Sequence, residues 1–174
     1  MAWGSAPTLL KVVLVLALIG FILDLIGFAT AYWRSWEGRH IYGYYAEGNE
    51  GLWRSCWTGH HRGGRGSYET CGKTIGPSWF EATQAFETLG FIAAIVALVL
   101  IVLYIFVPQT SGKRIVFILG MVACFAAAGC IILGIIIYGS KVETNLSWSF
   151  ALCTIAGIIF GVSGILLIVD MLKR

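Results

Sequence analysis

Charge is the scarcest ingredient of this 174-residue chain: Asp, Glu, Lys and Arg make up 12% of it, against 58% hydrophobic residues. A soluble domain of this size needs far more charge to hold its surface in water, so the composition points to a bilayer. Catalytic patterns are missing as well. No nucleophile elbow, phosphate-cradling glycine loop or His-Glu-x-x-His pattern occurs, and the acids outside the apolar runs are scattered among turn residues. Neither an enzyme nor a cofactor is expected, and nothing points to nucleic acid. Histidine is nearly absent: His40 stands alone and His60-His61 sit in a glycine-rich stretch. Zinc wants three or four preorganised ligands, so no metal site is expected.

What the chain does contain is four long apolar runs, at about 9–31, 86–107, 115–138 and 148–171. A hydrocarbon core of about 30 Å needs roughly 20 residues at about 1.5 Å rise per residue, and each run is long enough. Water is absent there to satisfy lone backbone groups, so the runs must be helices. In the first run Lys11 precedes the apolar core, and the run ends in Ala29-Thr30-Ala31, which looks like a signal-peptide cleavage site. It is longer than a signal core of about 7–15 residues and is read as a retained span. The chain is thus one four-span membrane domain, with connecting loops at about 32–85, 108–114 and 139–147. Pro108 and Gly112 suit a tight turn, which makes spans two and three antiparallel neighbours.

Nearly all chemistry outside the membrane must lie in loop 32–85. Three stretches there read as short strands: His40-Ile41-Tyr42-Gly43-Tyr44-Tyr45, Leu52-Trp53-Arg54-Ser55-Cys56-Trp57 and Tyr68-Glu69-Thr70-Cys71. The stretch from Gly59 to Gly66 reads as a flexible hairpin tip. Its His60, His61, Arg62 and Arg65 are candidates for a partner-binding or anion-attracting surface, with a solvated hairpin as the equal alternative. A Cys56–Cys71 bond would close a loop of about 15 residues, worth about 3 kcal/mol in the chain-entropy model. Such a bond persists in an oxidising space. The loop's basic residues favour the opposite side by a bare count, but its five glutamates partly balance them. The loop is therefore expected outside the cell, with both termini in the cytoplasm.

Within the spans, Asp24 is an intramembrane acid, costly and so a functional candidate. The plainer reading is a packing role, through hydrogen bonds from a neighbouring helix or as the protonated acid. Gly157 and Gly161 form a GxxxG pair that lets helix backbones approach in lipid, expected inside the bundle. Cys124, Cys130 and Cys153 are read as small packing residues. Asn145-Leu146-Ser147 matches a glycosylation sequon, expected to stay unmodified because it abuts span four.

Trp33 after span one, then Gly51-Leu52-Trp53, Cys56 and Cys71, resembles the W…GLW…C…C signature of claudins. The wider family takes in the peripheral myelin and epithelial membrane proteins and the calcium-channel gamma subunits. Thr83-Gln84-Ala85 before span two and Ser147-Trp148-Ser149-Phe150 at the start of span four are similar to the family too, so the likeness covers almost the whole chain. It implies an all-α transmembrane protein, a left-handed four-helix bundle bearing a small extracellular antiparallel β-sheet. Cys56 and Cys71 would be the sheet's disulfide, and Trp33, Gly51, Leu52 and Trp53 would anchor the sheet at the membrane surface. It further implies a plasma-membrane protein of cell–cell contacts that associates laterally with itself or its relatives and controls paracellular permeability. The alternative is an auxiliary subunit of a channel or receptor. The chain departs from vertebrate claudins in its Gly/His/Arg-rich insert between the cysteines and in Phe86-Glu87, where a positive residue is common. Its second outer loop is short, and Leu172-Lys173-Arg174 is no PDZ-binding ending.

Overall fold

A computed structural model describes residues 3–41, 44–61 and 66–173 of the protein. Four long helices run through it: α1 (Thr8–Ala29), α2 (Ser78–Phe106), α3 (Arg114–Lys141) and α4 (Trp148–Leu172). All four are long and apolar enough to cross a membrane. Large side chains point away from the bundle, among them Ile22, Leu89, Val122 and Ile158, each about half exposed. Small ones point inward: Ala17, Ala94, Ala97, Ala127 and Ala156 are fully buried. That inversion suits lipid, which is as apolar as leucine. Nothing drives large residues inward there, and small ones let backbones close up.

α1 packs against α4 and α2, and α3 against α2 and α4, which closes a ring of neighbours. Glycines set several of these contacts. A Cβ on Gly157 would lie 2.9 Å from Ile132 and 3.0 Å from Ile131 of α3, while one on Gly161 would meet Ala128 at 3.7 Å. The GxxxG pair of α4 therefore faces α3.

Between α1 and α2 the chain forms an antiparallel sheet of four strands in sequence order: β1 (Arg34–Ile41), β2 (Tyr44–Glu50), β3 (Arg54–His61) and β4 (Ser67–Lys73). β1 carries a bulge between Trp36 and Arg39, where Gly38 takes φ +82°. Arg34 also bridges to Leu146, and Ser35 N–H donates to the Asn145 carbonyl at 2.9 Å, so the α3–α4 loop extends the sheet at its base. Among the described residues β4 pairs only with β3, in unbroken register over its whole length, and all seven of its residues are exposed. Cys56 and Cys71 stand directly opposite in that register and form a disulfide.

Three sequence expectations change. The stretch His40–Tyr45 is not one strand but the end of β1 and the start of β2, and β1 begins well before it at Arg34. Leu52 and Trp53 precede β3 rather than belonging to it. Gly59, His60 and His61 are not in a hairpin tip but complete β3, paired with Ala46, Tyr45 and Tyr44 on β2. Gly59 is held in the ladder because the ring of Tyr68, its β4 partner, packs over it. A glycine whose bare face an aromatic neighbour covers is a usual strand device rather than a break. Arg62 and Arg65 lie outside the described residues.

Candidate functional site

The chain's functional surfaces begin where the sheet meets the bundle. Trp33, the third residue after the Thr30 cap of α1, is fully buried. Its Nε1–H donates to the Gly27 carbonyl at 2.8 Å, one of the last α1 carbonyls left without a helical partner. Edge-on contacts to Tyr138 of α3 (5.1 Å) and Phe150 of α4 (5.7 Å) hold the ring in place, so this residue ties three helices to the start of β1. Trp79 and Phe80 of α2 extend the same aromatic cluster onto Tyr138.

The Gly51-Leu52-Trp53 turn makes a second joint. A Cβ on Gly51 would run into the backbone of Thr30 and Ala31, so only glycine lets the turn lie on the end of α1. Leu52 is fully buried, and its carbonyl accepts a 2.6 Å hydrogen bond from Gln84 Nε2 of α2. Trp53 is part exposed and packs edge-on against Phe28 of α1 at 5.4 Å. Asn49 Nδ2 donates to the Ala31 carbonyl at 2.8 Å. Gln84→Met keeps the bulk of the side chain and removes the bond to Leu52, and is expected to cost about 1 kcal/mol. Thermal unfolding of the purified chain in detergent checks this, with Gln109→Met in the α2–α3 loop as a control.

Away from the membrane end, β3 and β4 present aromatic surface. Trp57 and Tyr68 are both exposed and meet edge-on at 5.7 Å. On β2 and β3, Glu47 and His60 approach to 3.5 Å, and the ring of Tyr45 lies near His60. The candidate surface residue His60 thus stands in a paired strand. His61 is in the same strand.

Inside the bundle, a feature that sequence reasoning did not bring together lies below the Trp33 joint. Asp24 of α1, Glu87 of α2 and Cys153 of α4 are all fully buried, and their ligating atoms lie within 4.8 Å of one another. The Cys153 thiol hydrogen-bonds to the Asp24 carboxyl, and neither oxygen of Glu87 has a hydrogen-bond partner among the described residues. Two glycines make the room. A Cβ on Gly27 would sit 2.6 Å from the Cys153 sulfur, and one on Gly134 would collide with the Glu87 carboxyl. Glu87 was missed because its apolar run begins at Phe86, which makes it look like a residue at the membrane edge. The helix itself starts at Ser78 after Pro77, with Glu81 in its first turn, and this carries Glu87 well into the bundle. Proline followed by an acid in the first turn was the available signal.

Compared with known proteins, residues 7–169 match the model of the PMP-22/EMP/MP20/Claudin family. No curated protein matches the chain.

Proposed function

Because the chain belongs to the PMP-22/EMP/MP20/Claudin family, we propose that it is a claudin-like protein of cell–cell contacts in the plasma membrane. The observation that carries this reading is β4: an edge strand with every side chain exposed, stapled to β3 and carrying the exposed ring of Tyr68 beside that of Trp57 on β3. An open strand edge beside exposed aromatic rings is suited to pairing with another protein, because both its backbone groups and its apolar surface lack a cover. Rigid joints at Trp33 and Gly51 would hold that edge at a set height above the membrane.

In this reading the sheet faces the extracellular space, where its disulfide persists, and both termini lie in the cytoplasm. Lateral association with copies of itself or related proteins would align the sheets between neighbouring cells. His60, His61, Arg62 and Arg65, toward the outer end of β3 and the stretch after it, would then bias the intervening path toward anions.

Expression in fibroblasts that lack junctions tests the proposal. Enrichment where two expressing cells touch, with strands in freeze-fracture replicas, is expected, and Tyr68→Glu with Trp57→Ser should disperse it. Diffuse surface staining together with a co-purifying channel would overturn the contact role and assign the chain as an auxiliary subunit.

A further inference from the structure

The cluster of Asp24, Glu87 and Cys153 plays no part in the contact role. It joins three helices rather than lying along one. Counting about 1.5 Å per residue from the sheet ends of α1 and α4, Asp24 and Cys153 both lie about 8 Å into the bundle. Two acids at such a site, out of water and with both Glu87 oxygens unpartnered among the described residues, are costly unless something else occupies the space between them. No lysine, arginine or histidine supplies a counter-charge among the described residues of the helix segments around them.

We propose that Asp24, Glu87 and Cys153 bind a single divalent cation of the zinc class within the membrane. Three donors from three helices leave a fourth position for water or an anion, the arrangement of zinc sites that stay open rather than of closed four-ligand ones. The sulfur decides the class of metal. Carboxyl oxygens alone would suit calcium or magnesium, which take six or more oxygens, whereas a thiol among few donors selects a softer ion. Charge balances as well. When the Cys153 thiol and one carboxyl ionise and the other carboxyl keeps its proton, a dication leaves the site neutral in hydrocarbon, and two protons pass to water as the ion enters. Gly27 and Gly134 act as notches that let the thiol and the Glu87 carboxyl reach inward.

The test uses the full chain purified in detergent, loaded with zinc chloride and freed of excess metal. Elemental mass spectrometry is expected to find about one zinc per chain, falling at least about tenfold in the Asp24→Asn/Glu87→Gln double variant. Those replacements keep side-chain shape, and circular dichroism checks that the helices survive. Cobalt loading gives a second readout that needs no variant. A cobalt–thiolate charge-transfer band is expected in the wild type and should vanish in Cys153→Ser. Zinc held at surface histidines would give metal without that band. Absence of the cobalt–thiolate band, or a zinc content unchanged in the double variant, overturns the proposal. An infrared carboxylic-acid stretch in the zinc-loaded wild type that both Asp24→Asn and Glu87→Gln alter, with no metal bound, would overturn it in favour of an acid pair sharing protons.

Discussion

Trp33→Ala is expected to be the most damaging single substitution outside the helices, costing about 3–5 kcal/mol, the range for truncating a buried large aromatic. The ring is fully buried against Tyr138 and Phe150, and its N–H closes the Gly27 carbonyl. Truncation therefore leaves a cavity where three helices meet and strands a helix-end carbonyl. Trp33→Phe keeps most of the packing and loses only the donor, so about 1 kcal/mol is expected for it. Trp53→Ala is the informative control, because that ring is part exposed and touches one helix through Phe28. Thermal unfolding in detergent and delivery to the cell surface should rank the losses Trp33→Ala, then Trp53→Ala, then Trp33→Phe. Equal losses at positions 33 and 53 would remove the case for a buried anchor.

Removal of the disulfide by Cys56→Ser with Cys71→Ser is expected to cost about 3 kcal/mol, and the damage should stay local. Among the described residues β4 has β3 as its only strand neighbour and buries none of its side chains, so little but the ladder and the covalent link holds it. β1 is held independently through Trp33 and β2 through Asn49. The double variant should keep its helical circular dichroism, while limited proteolysis cuts between residues 67 and 73 far faster than in the parent. If instead the helices melt together with the sheet, the two layers fold as one cooperative unit and the local account fails.

The bundle was legible in the sequence because lipid-facing helices must be apolar all round, a requirement that leaves long unbroken runs such as 115–138. The Trp33, Gly51-Leu52-Trp53 and cysteine pattern was legible through its resemblance to the claudin signature, and the structure gives each position its physical demand: a buried ring, a turn without Cβ, a paired thiol. Strand limits were harder to read. Arg34–Arg39 alternates poorly because β1 is an edge strand with a bulge, where charge and glycine are tolerated. Gly59 and the two histidines after it looked like a turn because glycine is normally a breaker, and the Tyr68 ring that covers it comes from another strand. The grouping of Asp24, Glu87 and Cys153 depends on how three helices are rotated about their axes. No single helix's periodicity carries that information.

The two margins of the sheet are unequal, and this limits how copies could assemble. β1 is interrupted by its bulge and met at its base by Leu146, whereas β4 runs straight and unmet. If β4 of one molecule joins β4 of a second, the contact is related by a twofold axis and uses itself up, giving a closed pair. Growth into a filament requires a different, head-to-tail contact, and the lipid-facing flanks of the helices are the remaining extensive apolar surface that could supply it.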